Sequence, residues 1–198
     1  SFHSGIMNHS EGRMSDKGSG LGIVGYDGYE FVVSDLERSR RFYSQMLDVA
    51  ESARLSDREA DRRGEMAFLF EAGTARWSCV TPGARGSAAD RWLKRHPDGV
   101  RTVSFRVRDS AHARRVLGER GATVCSELAS TEDQQGRPYR WFDIATPLGD
   151  VRFRFVERAA DALPPGFEPR AGADAGNRFS FQVIDHITSN FLTIEPHV

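Results

Sequence analysis

Long apolar runs are missing from this 198-residue sequence. None approaches the roughly 18 residues that a membrane-spanning helix needs. The opening stretch "SFHSGIMNHSEGRMSDKGSG" has no apolar h-region, so neither insertion nor secretion is signalled. An excess of one charge is missing too. Lys plus Arg number 27 against 28 Asp plus Glu, for a formal net charge of -1, which removes the electrostatic reason to expect nucleic acid or an anionic membrane as partner. Cysteine is scarce: Cys79 and Cys125 lie far apart and outside any CxxC pair. They read as small buried apolar side chains, kept reduced in a cytoplasmic protein, and not as a disulfide framework. A phosphate loop is not signalled either. Gly20, Gly22 and Gly25 have the G-x-G-x-x-G spacing, but no strand leads into them and no helix follows.

What is present is a core-forming composition, 39% hydrophobic with 13 Phe, enough for one good core or two small ones. Residues 1–20 read as a disordered leader or expression scar. Residues 159–180, rich in Pro, Gly and Ala at "AADALPPGFEPRAGADAGN", read as a linker. Between them, residues 21–158 repeat themselves. "YEFVVSDLERSRRFYSQMLDV" is a strand, a cap at Ser34 or Asp35, and a helix carrying Leu36, Phe42, Tyr43, Met46 and Leu47. "VSFRVRDSAHARRVLGERGATV" repeats the pattern with a cap at Asp109 or Ser110 and a stop at Gly121. Three strand-like runs follow each helix, at 49–55, 65–71 and 76–81, then at 123–128, 140–145 and 151–156. A short helix over 87–96 joins the copies. The expected fold class is therefore α+β: two tandem βαβββ modules, 21–86 and 99–158, forming an open barrel-like sheet with helices outside.

"IDHITSN", residues 184–190, can be laid under the first strand of each copy. It reads as the start of a third unit within 181–198, with Gly28, Thr102 and His186 at equivalent positions. The tandem βαβββ plan, "GYDGYEFVVSD", "YRWFDIATPLGDVRFRFVER", "LPPGFEP" and "IDHITSN", in that order, resemble the 4-hydroxyphenylpyruvate dioxygenase and 4-hydroxymandelate synthase family of the vicinal oxygen chelate superfamily. The resemblance covers residues from about 21 to 198 and implies the vicinal oxygen chelate, glyoxalase-like fold. It further implies a non-haem Fe(II) enzyme that converts 4-hydroxyphenylpyruvate and O2 to homogentisate in tyrosine catabolism. The family's N-terminal module pair is metal-free, and its first iron ligand maps onto His186; the other His and the Glu have no counterpart in this chain.

The expectation is thus the N-terminal part of a longer cytoplasmic enzyme, a homo-oligomer, with this part inactive alone. Thr188 and Asn190 share the strand face of His186 and are either substrate-pocket residues or ordinary polar strand residues. Glu30 reads as a carboxylate paired to an arginine. Arg140, Arg152 and Arg154 read as a solvated or subunit-contacting face and not as an anion site. The alternatives are 4-hydroxymandelate synthase, a non-catalytic small-ligand-binding module of the superfamily, and a two-module glyoxalase or extradiol dioxygenase. Gly28 and Thr102 stand against the last, where a histidine is expected.

Overall fold

A computed structural model describes residues 20–171, 176–186 and 188. Nine strands form one mixed sheet in the order β6-β7-β8-β5-β1-β4-β3-β2-β9. The first module contributes β1 (Ile23–Val32), β2 (Glu51–Leu55), β3 (Glu65–Ala72) and β4 (Ala75–Pro82). The second contributes β5 (Gly99–Val107), β6 (Ala129–Glu132), β7 (Pro138–Ala145) and β8 (Arg152–Glu157). In each module the first strand pairs in parallel with the last, β1 with β4 and β5 with β8. The modules join along one antiparallel seam, β1 against β5. The expected vicinal oxygen chelate architecture is the one observed: a curled, open half-barrel with few helices.

The seam has an internal two-fold. Gly28 faces Ser104 and Glu30 faces Thr102, so residues 74 apart in sequence are interchanged by it. Two of its three register shifts obey the same relation: Asp27 is skipped between the Tyr26 and Gly28 pairings, and Arg101 between the Val100 and Thr102 pairings. A bulged residue leaves the ladder and can turn its side chain off the alternating pattern. Both use that freedom for an ion pair: Asp27 with Arg158 at 2.7 Å, and Arg101 with Glu30 at 2.8 Å.

Helices cover the outer face. Asp35 caps α1 (Leu36–Arg41) by accepting from the Arg38 amide, and Asp109 caps α4 (Ser110–Glu119) by accepting from the His112 amide. After Arg41 the chain widens into a π-helical turn, Phe42–Met46, where a regular helix to Leu47 was expected. That turn sets the Tyr43 ring 4.9 Å from Phe70 and 5.1 Å from Trp77. Under α1 lie Tyr29, Phe70, Trp77 and Cys79; under α4 lie Phe142, Ile144 and Phe155. Cys79 is fully buried as expected, whereas Cys125 is exposed, because the chain after α4 keeps Val124 and Leu128 toward the core and turns Cys125 outward.

Three local features depart from the sequence reading. Ser56 and Gly64 bracket an additional helix, α2 (Asp57–Arg63), with the Ser56 hydroxyl accepting from the Glu59 amide and Gly64 left-handed at φ 62°. The strand expected at 123–128 forms at 129–132 instead; Val124 makes only an isolated bridge to Ile144. Within the expected linker, β9 (Phe167–Pro169) pairs with β2, and Arg170 reaches Glu51 at 2.6 Å. α3 (Ala88–Leu93), capped by Ser87, joins the modules.

Asp27 and Arg158 are almost wholly buried, their side chains 7% and 5% exposed. Arg158 also donates to the carbonyls of Ala159, Ala160 and Ala162, holding the chain as it leaves β8. Removing one partner of a buried pair strands the other charge. Asp27→Ala is therefore expected to lower the unfolding free energy by about 3–5 kcal/mol. Urea unfolding would measure it; a loss below about 1 kcal/mol, the level of an exposed pair, would show that the pair does not hold the seam.

Candidate functional site

Strand alternation puts apolar residues of β1, β4, β5 and β8 under the helices and sends their neighbours inward. The concave face therefore receives Gly28, Glu30, Ser78, Thr102, Ser104 and Arg154, which line a cavity of about 440 Å³. Tyr139 and Trp141 from β7 close one side, and Pro164–Phe167 of the former linker pass across it. This strap is tied down: Arg63 donates to the Pro165 carbonyl at 2.7 Å, and Gln134 to the Phe167 carbonyl at 3.0 Å.

The centre of the concave face is a chain of charges. Arg101 bridges Glu30 at 2.8 Å and Glu65 at 3.0 Å, and Glu65 accepts the Ala89 amide at the start of α3. Thr102 donates its hydroxyl to Glu30 at 3.0 Å. Arg154 grips Asp143 with two hydrogen bonds, 2.7 and 2.9 Å, the bidentate geometry that favours Arg over Lys. Burial works against the charge on Glu30, but Arg101, Arg154 and the Thr102 hydroxyl outweigh it and hold the carboxyl at about 2. The Tyr139 phenol is pushed up to about 12, by burial and then by Asp27, and remains a neutral donor at physiological pH.

Glu30 is thus the arginine-paired carboxylate that the sequence suggested. The reading of Arg154 needs correction, whereas Arg152 is exposed. Arg154 lies inside the half-barrel because Phe153 and Phe155 occupy the outer face against the α4 cluster, and period two sends Arg154 the other way. Arg101 and Asp143 went unnoticed in the sequence; a bulge residue and a long-range partner leave no periodic trace.

Gly28 and Thr102 do occupy matching places across the seam. A Cβ added at Gly28 would stand 3.1 Å from the Arg76 carbonyl oxygen, so β4 fills the space a ligating side chain would need. Thr102 is committed to Glu30. Among the described residues, no three His, Cys, Asp or Glu side chains come together to hold a metal.

His186 lies elsewhere. The chain returns along the outer face of the first module: the amides of Asn177 and Arg178 donate to Asp48, and the Thr74 amide and hydroxyl donate to the Gln182 carbonyl at 2.7 and 3.0 Å. Ile184 packs against the cluster under α1. Phe181–His186 joins no strand of the sheet. His186 is exposed, with Nδ1 2.8 Å from a carboxylate oxygen of Asp185. A carboxylate only accepts, so Nδ1 carries the proton in the neutral ring and Nε2 is left with its lone pair. Thr188 is exposed, and Asn190 lies outside the described residues. One imidazole does not make the two-His, one-carboxylate set that an Fe(II) oxygenase site needs.

No family model matches the chain. It is similar to the 4-hydroxyphenylpyruvate dioxygenase of Hordeum vulgare, with 32% identity over 142 residues, 68% of this chain and 31% of that protein. It is similar to the enzyme of the same name from Dictyostelium discoideum, with 29% identity over 104 residues, 50% of this chain and 28% of that protein. The chain thus spans about a third of the length of these curated relatives. In three dimensions it is similar to a variant of 4-hydroxymandelate synthase from Streptomyces coelicolor, with TM-score 0.65 and 17% identity over 77% of this chain and 43% of that one. It also matches methylmalonyl-CoA epimerase from Mycobacterium tuberculosis, with TM-score 0.59 and 20% identity over 71% of this chain and 92% of that one. At these identities the solved structures establish the fold.

The lowered carboxyl of Glu30 ties stability to acid. Unfolding returns it from about 2 to its ordinary 4.5, so its contribution is complete above about 4.5 and is lost as pH falls toward 2. Glu30→Gln is expected to be less stable than wild type at neutral pH, with the gap narrowing steadily as pH falls through that window. Urea unfolding across the range tests this; a gap independent of pH would remove Glu30 from the acid response.

Proposed function

We propose that this chain, a vicinal oxygen chelate protein with 4-hydroxyphenylpyruvate dioxygenases among its homologues, is the scaffold-bearing N-terminal part of an Fe(II)-dependent keto-acid dioxygenase. The whole enzyme would convert 4-hydroxyphenylpyruvate and O2 to homogentisate in tyrosine catabolism, as a cytoplasmic homo-oligomer. The observation that carries this reading is the 32% identity with a 4-hydroxyphenylpyruvate dioxygenase across 68% of the chain. The concave face supports the scaffold role. Its positions are taken by Gly28, the Thr102–Glu30–Arg101 contact and the Arg154–Asp143 fork. A divalent cation placed there would meet two guanidiniums.

His186 is the one residue here proposed to bind the iron, through Nε2. Asp185 would hold the ring from behind by accepting at Nδ1, the outer-shell arrangement common to metal-bound histidines. Bound iron supplies the oxidation; this chain orients one imidazole. Asp48, Thr74 and the apolar patch around Ile184 anchor the segment that carries it. Thr188 and Asn190 are proposed to face the substrate. No described helix is long and apolar enough to cross a membrane.

The test is made on the full-length protein. With Fe(II), oxygen uptake on 4-hydroxyphenylpyruvate should yield homogentisate; 4-hydroxymandelate as product would assign the synthase activity instead. His186→Ala should lose bound iron and turnover together. Asp185→Asn should weaken iron affinity about 10- to 100-fold, the usual cost of losing an outer-shell partner. Full iron occupancy and activity in His186→Ala would remove His186 from the metal site. The piece spanning residues 20–180 should fold and carry no iron, and stoichiometric iron on it would overturn the scaffold reading.

A further inference from the structure

At the α3 end of the half-barrel a second groove, of about 380 Å³, is lined by six arginines: Arg63, Arg91, Arg95, Arg101, Arg152 and Arg154. They come from α2, α3 and the turn after it, β5 and β8. Four carboxylates share the groove, Glu30, Glu65, Asp143 and Asp150, so two positive charges remain over.

The pairings show where that surplus sits. Arg101 takes both Glu30 and Glu65, and Arg154 takes Asp143 with both arms of its fork. Asp150 is held by Arg95 at 3.2 Å and His96 at 2.7 Å. Arg63 turns to Glu59 at 3.1 Å and to the Pro165 carbonyl. Each groove carboxylate is thereby engaged. Arg91 and Arg152 have no carboxylate partner among the described residues; Arg91 donates only to the Gly86 carbonyl. Two guanidiniums from different elements, α3 and the first residue of β8, thus line one groove without a salt bridge, Arg152 acting on Asp150 only through its charge. Trp92 lies between Arg91 and Arg95 in sequence and adds an aromatic wall.

We propose that this groove binds a phosphate group, as free phosphate or as a small phosphate monoester, with Arg91 and Arg152 as its principal donors and Arg95 at the rim. A guanidinium fork matches two oxygens of a tetrahedral dianion, and two such forks neutralise it. The volume is that of a small-molecule site and exceeds phosphate itself, leaving room for a short organic body against Trp92. The inference concerns residues remote from His186 and is independent of the iron chemistry proposed above.

The experiment is a titration of the 198-residue chain with inorganic phosphate at fixed ionic strength, followed through the arginine Nε–H resonances. Saturable shifts at Arg91 and Arg152 are expected, with Kd in the millimolar range or below. Arg91→Gln with Arg152→Gln, both at exposed positions, should weaken binding at least about tenfold, the loss of a charge-assisted hydrogen bond. Glycerol phosphate binding more tightly than inorganic phosphate would identify a monoester as the ligand, and the reverse order free phosphate. The proposal is overturned if no shift saturates, if chloride at equal ionic strength reproduces the shifts, or if the double variant binds phosphate as wild type does.

Discussion

The antiparallel seam between β1 and β5 is the constraint on which the rest depends. Each module alone is a four-stranded curl with two open edges; joining first strand to first strand makes a half-barrel and fixes what faces inward. The two bulges related by the same two-fold as the strands then place a charge on either side of its centre at Tyr29 and Val103. Asp27 reaches the exit of the second module through Arg158, and Arg101 reaches the first module through Glu65. Ion pairs of this kind add little net stability over well-packed apolar residues, but they penalise any other register, because a slipped strand would leave a buried charge alone.

That arrangement also gives the concave face its chemical character. A surface of guanidiniums locked to carboxylates is electrically full, and its hydroxyls and aromatic rings line the remaining volume. Such a surface is suited to rigidity and poorly suited to a divalent metal. The side chain proposed to ligate iron is accordingly carried outside the sheet, on a segment tied to the first module by Asp48, Thr74 and apolar contacts around Ile184. The scaffold and the proposed ligand are thus mechanically connected without sharing a cavity.

Much of the fold was legible in residues. Asp35 and Asp109 cap the helices where their spacing placed them, and strand alternation in "VRFRFVER" described β8 correctly. The helix α2 could have been found from the Ser56–Glu59 capping pair and Gly64. The displacement of β6 could not, because Val124 and Leu128 have strand-forming character whether they pair in the sheet or pack beneath α4. The same alternation that located β8 misled about its arginines: period two says that Arg152 and Arg154 share a face, not which face.

The sequence by itself determined the repeat, the caps, the outer apolar stripes and the equivalence of Gly28 with Thr102, since all of these are local patterns or matches between segments of the same chain. Only the tertiary structure decided that Arg101, Arg154 and Glu30 meet at one centre and that Arg91 and Arg152 share one groove. The physical reason is that charge pairing is non-local. A carboxylate 36 residues away, as Glu65 is from Arg101, leaves no period in the sequence, and its effect appears only when the sheet closes the distance to 3.0 Å.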